Sequence, residues 1–402
     1  MRFETAKIKD LISEISMGPF GSNIKVECFV DTGIPVLNGS NLDGFVLKEN
    51  SFRYVTEEKA DSLGRANAHR GDVVITHRGT LGQIVFIPKT SLYDRYVISQ
   101  SQFRVRCNHR VLPEYLVYYF HTRKGQHKLL SNASQVGVPA LARASTTFQE
   151  IEIEVPSVID QERIVGILES IREKEEINNA INENLEQQAT AYFHHQFIAN
   201  ADPSWEEGAI SDLGTVIGGS TPSKSKPEYY TDSGIAWITP KDLSVDKSKF
   251  ISHGADDITE LGLKNSSASI MPAGTVLFSS RAPIGYIAIA DGEVTTNQGF
   301  KSVVPNSNVG TAFVYYFLKN ALPTIESMAS GSTFKEISGS AMRTVPAIIP
   351  DDESLQEFAE FCEPLFQQQR TLEAENRSLA ALRDSLLPKL MSGELDVSEL
   401  DI

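Results

Sequence analysis

The sequence predicts an α+β protein of two similar globular domains, separated by two long helices that pair as an antiparallel coiled coil, in a tandem pseudo-two-fold repeat. Three observations predict it. Short sequence blocks recur across the two halves at a slowly drifting offset. A long segment with apolar residues at helical spacing occupies the middle of the chain. A strict three-four apolar alternation occupies its end.

The repeat is the firmest of these. Ile8-Lys9-Asp10-Leu11 recurs as Ile210-Ser211-Asp212-Leu213, and Asp31-Thr32-Gly33-Ile34 as Asp232-Ser233-Gly234-Ile235. Gly71-Asp72-Val73-Val74-Ile75-Thr76-His77-Arg78 recurs as Gly274-Thr275-Val276-Leu277-Phe278-Ser279-Ser280-Arg281, and Tyr118-Tyr119-Phe120 as Tyr315-Tyr316-Phe317. Gly137 and Pro156 match Gly331 and Pro350, the offset drifting from 203 to 194. The expected partition is a first domain over 1–155, a first helix over 156–200, a second domain over 201–349 and a second helix over 350–402.

Taken in order, the first domain's repeated block reads as strand, turn, strand. Val73-Val74-Ile75 is a short run of β-formers behind a glycine, Arg78 to Gly82 is a loop, and Gln83 to Ile87 is a second strand. Leu112 to Phe120 reads as a helix with Pro113 in its first turn and aromatics buried on one face. Glu57 and Glu58 read as the first turn of a helix after Thr56 rather than as an acidic cluster.

The first long helix opens at Pro156-Ser157-Val158-Ile159-Asp160-Gln161-Glu162, with Asp160 as its expected cap. Ile164, Leu168 and Ile171 keep one helix face, and Ile177, Ile181 and Leu185 extend it less regularly. About 36 residues make a rod of about 54 Å. Such a half-polar helix needs a partner. The partner is the seam Leu355, Phe358, Cys362, Leu365, Gln369, Leu372, Asn376, Leu379, Arg383, Leu386 and Leu390, whose polar lapses can set register. Pro364 within it predicts a kink or a broken first turn.

Composition excludes some classes. The chain has 402 residues and a net charge of −15, and the two helical segments carry −14 of it, leaving the domains near neutral. A local basic groove fits that distribution, and so do simply solvated acidic helices. No apolar run is long enough for a membrane helix, and Met1-Arg2-Phe3-Glu4 leads into no hydrophobic signal region. Cys28, Cys107 and Cys362 form no disulfide framework, so a cytoplasmic protein is expected. The sequence shows no phosphate-binding Gly-Lys-Ser/Thr, no methyltransferase-type Asn/Asp-Pro-Pro-aromatic run and no catalytic triad. His194 and His195 are adjacent rather than at the spacing that lets two ligands meet one zinc. No catalytic residue and no metal ligand is assigned.

Two similar domains held apart by a helical ruler suit a ligand with a fixed repeat, and duplex DNA offers half-sites one turn apart. Direct readout needs Arg, Lys, Asn, Gln, Ser, Thr or His on loops. In the first domain the candidates are Ser22, Lys25, Asn38, Asn41, His77, Arg78, Thr80 and Gln135. In the second they are Ser223, Lys224, Thr239, Lys241, Ser280, Arg281 and Lys335. The helix positions expected to dock partners are Ile164, Leu168, Ile171, Ile181, Leu185, Leu365, Leu372, Leu379 and Leu386.

The chain resembles a type I restriction-modification specificity subunit over essentially its whole length. The features that carry the resemblance are the two-fold repeat, Gly33-Ile34-Pro35-Val36 and Gly234-Ile235-Ala236-Trp237, the Arg78 and Arg281 blocks, the Pro156 helix start, and the tail Leu382 to Leu395. At the second helix start Gln356 follows Pro350 one residue later than in the first. The resemblance implies two target-recognition domains that read an asymmetric, bipartite double-stranded DNA site. It also implies helices that dock two methyltransferase subunits and, where present, two restriction subunits. The chain would bind no cofactor itself; S-adenosylmethionine, ATP and Mg²⁺ would belong to those partners. A structural adaptor with protein-binding domains is the alternative, and its binding would depend far less on salt.

Overall fold

The computed structural model describes residues 1–134, 137–331 and 335–400. The chain forms two compact units, Met1–Lys174 with Leu379–Ile402 and Glu175–Ser378. Both long helices are therefore shared between units rather than standing as separate segments.

In the first unit, strands β1 (Ile12–Met17), β2 (Asp72–Thr76), β3 (Ile84–Phe86) and β4 (Gln102–Cys107) form an antiparallel sheet in the order β1-β4-β2-β3. All of β2 is buried, which explains why its sequence is a continuous apolar run rather than an alternation. Val73 and Ile75 face one core with Phe86, Phe103 and Val105. Val74 faces another with Val85, Ile87, Leu37 and Tyr96. The second core lies under a sheet of short strands, among them Ile34–Val36, Arg53–Val55 and Arg95–Val97. Glu4–Lys7 pairs with Glu152–Val155 to close the unit.

Helix α1 (Pro113–His121) begins at proline, as expected, but Tyr115 to Phe120 are buried all round rather than on one face. The helix is enclosed, so each tyrosine finds a partner for its hydroxyl. Tyr115 donates to the Glu154 carbonyl (3.0 Å), Tyr119 to the Glu154 carboxylate (2.8 Å) and Tyr118 to Glu169 (2.6 Å). Glu169 lies on helix α2 (Val158–His194). The cap of α2 is Ser157, not Asp160. The Asp160 N–H donates to Ser157 Oγ (3.2 Å), and that hydroxyl donates to the Asp160 carboxylate (2.9 Å). A hydroxyl one residue before the helix reaches the third N–H, which a carboxylate at the third helical position cannot. Gln161 is fully buried and ties the start of α2 to the unit, accepting from Leu112 N–H (2.8 Å) and donating to the Arg110 (2.9 Å) and Pro156 (3.0 Å) carbonyls.

The second unit repeats this plan. Strands β5 (Gly214–Gly218), β6 (Val276–Ser280), β7 (Ile284–Ala290) and β8 (Lys301–Pro305) keep the order β5-β8-β6-β7, with Phe250–Ile251 added beside β7. Glu206–Ala209 pairs with Pro346–Ile349, and helix α3 (Thr311–Asn320) takes the place of α1. Helix α4 (Asp352–Ser392) is continuous through Pro364, so the helix is not broken there.

Within this unit α2 and α4 run antiparallel, with Asn178 opposite Asn376 and Tyr192 opposite Phe361. The polar lapses are paired. Asn178 donates to Asn376 Oδ1 (2.9 Å), Asn376 donates to Asn179 Oδ1 (2.8 Å), and Gln369 donates to the Asn182 carbonyl (3.2 Å). These bonds are made in one register only.

Most of the expected docking positions are covered within the chain itself. Ile164, Leu168, Ile171, Leu185 and Leu372 are buried inside the chain, Ile164 and Leu168 within the core of the first unit. Leu365, Leu379 and Leu386 are half-buried, and of the nine expected docking positions only Ile181 reaches 36% exposure. Each unit consumes the seam beside it, because its own helix and sheet need a cover for their apolar face.

Candidate nucleic-acid interface

The ends of the sheet strands position the loops. In the first unit Met17 lies opposite Phe103, Thr76 opposite Gln102, and Ile75 opposite Ile84, so the loops that leave β1, join β2 to β3 and precede β4 share one end of the sheet. His77 N–H donates to the Ser101 carbonyl (2.8 Å), and the His77 carbonyl accepts from Leu141 N–H (2.9 Å). Gln83 donates to the Gly39 carbonyl (3.1 Å) and Gln102 to the Asn38 carbonyl (3.2 Å), drawing in the 38–42 turn.

The second unit makes the same bonds. Ser280 N–H donates to the Gly299 carbonyl (2.7 Å), and the Ser280 carbonyl accepts from Ile337 N–H (3.1 Å). Ser220 N–H donates to Thr296 (2.8 Å) and Asn297 N–H to Ile238 (3.0 Å), gathering the equivalent segments. The hairpin loops turn on matched glycines, Gly82 with φ +90° and Gly285 with φ +97°, a region that disfavours any side chain.

On this frame the expected contact residues divide. Arg78 and Thr80 are exposed in the hairpin loop of the first unit, and Lys25 is exposed and ion-paired with Glu27 at 3.5 Å. His77 is half-buried; burial pushes its imidazole below the ordinary value, only partly offset by the Gln100 carbonyl 3.1 Å from Nε2. Asn38 is half-buried, its side chain accepting from Ser40 N–H (2.8 Å).

Asn41, expected at the DNA surface, is instead part of the loop's interior. It is fully buried, accepts from Asn38 N–H (2.9 Å) and donates to the Lys48 (2.9 Å) and Asn50 (2.8 Å) carbonyls, so it builds the loop and cannot touch a ligand. Gln135 and the Ser22 side chain lie outside the described residues.

In the second unit Ser223, Lys224, Lys241 and Lys335 are exposed. Thr239 is spent on capping the helix Pro240–Val245, its hydroxyl donating to Asp242 (2.6 Å). Ser280 is fully buried and donates to the Gly299 carbonyl (3.1 Å), which removes it from the contact surface. Arg281 is half-exposed and lies 3.5 Å from Glu336, a carboxylate it shares with Lys301 (3.6 Å). Among the described residues Arg78 has no acidic partner; its bridge partner is Ala140, where that of Arg281 is Glu336.

Two exposed glutamines at the loop centre escaped the reading of the sequence, Gln100 and Gln298. Thr76 pairs with Gln102 and Ser279 bridges Phe300, so each glutamine stands two residues before the paired position. Their offset of 198 falls within the drift of the repeat, and that is the signal that could have found them.

The fold and loop arrangement define a tandemly duplicated α+β protein whose two loop clusters share a backbone frame and differ in side chains. The chain belongs to the family described as the type I restriction modification DNA specificity domain, which matches residues 3–187 and 203–381. It is 41% identical over 169 residues to the type I restriction enzyme MjaIX specificity subunit of Methanocaldococcus jannaschii, a match over 42% of this chain that spans only 39% of that protein. It is 24% identical to the HindI specificity subunit of Haemophilus influenzae over 81% of this chain and 87% of that one. The crystal structure of the type I restriction-modification system S subunit from M. genitalium has the same fold, with a TM-score of 0.58 at 16% identity and coverage of 97% and 96% of the two chains.

Proposed function

We propose that this chain is the non-catalytic DNA-specificity subunit of a type I restriction-modification complex. Each unit reads one half of an asymmetric, gapped duplex site. The helix pair sets the number of unread base pairs between the halves and holds two methyltransferase subunits, and restriction subunits where the system has them. S-adenosylmethionine, ATP and Mg²⁺ belong to those partners, and the complex works in the cytoplasm.

The observation that carries this reading is the matched loop cluster: the same backbone bonds at the ends of β2 and β6 present Arg78 in one unit and Arg281 in the other, among otherwise different side chains. A shared frame with different readers is what an asymmetric site requires. The test is co-expression with a cognate methyltransferase subunit, followed by sequencing of methylated adenines in the host DNA. One gapped, non-palindromic motif that disappears without this chain is the expected result. A stable complex that methylates no defined motif would sink the DNA-reading role. Arg281→Ala should weaken or relax one half-site only, by about 1–3 kcal/mol for a bidentate base contact.

A further inference from the structure

We propose that Gln100 and Gln298 are the matched base-reading residues of the two half-sites, each contacting one base pair, with adenine the base their amides fit. The proposal rests on the DNA-reading role above and names side chains that perform it. Four observations support it.

The two glutamines occupy one structural position by strand register, and the backbone beside each is held by the same bond, His77 N–H to Ser101 and Ser280 N–H to Gly299. Both are exposed, although the chain around them is buried: Ile98 and Gln102 in the first unit, Thr296 and Phe300 in the second. A polar side chain that projects alone from a buried segment is presented outward.

Each amide lies against the loop that follows the first strand of its sheet. The Gln100 amide oxygen lies where a Cβ on residue 21 would stand, so Gly21 makes room for it. The Gln298 amide oxygen accepts from the Thr221 hydroxyl. The Gln298 side chain is thus ordered before binding, which lowers the entropy lost on contact.

Finally, the chemistry is selective. A glutamine amide carries one donor and one acceptor face and pairs bidentately with the N6 and N7 of adenine in the major groove. It carries no charge, so its loss should change which sequence is read rather than the salt-dependent grip on phosphates.

The experiment uses the co-expressed complex and the methylated-adenine motif. Gln100→Ala should relax one position in one half-site, and Gln298→Ala one position in the other, each losing discrimination of about 5- to 150-fold there while the remaining positions stay fixed. Gln298→Glu should move the preference at that same position from adenine toward cytosine, whose N4 donates to a carboxylate. Thr221→Val, which removes the Gln298 amide's partner, should blur the same position. Unchanged motifs in both alanine variants would overturn the proposal. So would a uniform loss of methylation by assembled complexes, since the glutamines would then be structural. Gln298→Asn keeps the amide and guards against misfolding: it should assemble and affect only that position. A wild-type chain that directs no gapped motif would overturn the functional reading itself, and this proposal with it.

Discussion

Replacing Lys249 with methionine should destabilise the second unit by about 3–5 kcal/mol, the usual cost of removing one partner from a buried ion pair. Lys249 is 8% exposed. Its ammonium donates to Gln369 on α4 (2.7 Å) and Tyr316 on α3 (3.0 Å), pairs with Glu186 on α2, and lies 4.4 Å from the Phe366 ring centre. Burial alone would raise the Glu186 carboxyl, but the Lys249 and Lys319 ammoniums outweigh it and hold it down at about 2. Methionine retains most of the packing volume and leaves that carboxylate with Lys319, which is 37% exposed.

For a unit of this size the loss corresponds to a melting temperature about 6–20 °C lower. Trp205 and Trp237 are the chain's two tryptophans and both lie in this unit, so their fluorescence follows its unfolding alone. Glu186→Gln added to Lys249→Met should restore a substantial part of the loss, because it removes the stranded charge. The folded pKa of Glu186 is depressed, so its contribution is complete above its unfolded value of about 4.3 and fades as pH falls toward 2. Wild type should therefore lose stability over that window more steeply than Glu186→Gln. A loss under about 1 kcal/mol for Lys249→Met, or strict additivity in the double variant, would refute the reasoning.

The other predictions concern single contacts. Asn41→Ala should cost the first unit about 1–3 kcal/mol in a urea titration, since three backbone groups lose their buried partner, yet leave the methylated motif unchanged. Phe358→Ala should cost about 3–5 kcal/mol by the tryptophan signal, because this fully buried ring meets Tyr192, Phe193, Phe197 and Tyr316. Ser157→Ala should cost about 1 kcal/mol through the cap of α2, read by hydrogen exchange in its first turn.

The repeat, the buried hairpin and both long helices were legible because each rests on a strong local signal: block identity, a continuous β-forming run, or sustained helical spacing. The second sheet of each unit was not. Its strands are two to four residues long, as in Phe29–Val30 and Thr295–Thr296, and pair with distant segments, so no period can develop. The loop residues were legible as a class but not one by one. Asn41, Thr239 and Ser280 belong to the residue types that read DNA and equally to the types that cap turns, and only burial separates the two uses. The seam was legible, but its cover was not: Ile164 and Leu168 keep perfect helical spacing whether a partner or the chain's own core lies over them.

The asymmetry between the copies is where the repeat becomes useful. Duplication by itself would give two identical readers and a repeated half-site. The bridge that closes the hairpin loop is kept in both units, yet it sets Ala140 beside Arg78 and Glu336 beside Arg281. A guanidinium opposite a methyl is available to a phosphate or a guanine edge at no cost beyond its own desolvation. One that shares a carboxylate with Lys301 must first give up that attraction. Neutralising Glu336 by Glu336→Gln should therefore tighten binding of the second unit's half-site and steepen its salt dependence, while the same measurement on the first half-site stays flat. Equal change at both half-sites would mean that the carboxylate acts through the whole chain's charge and not through Arg281.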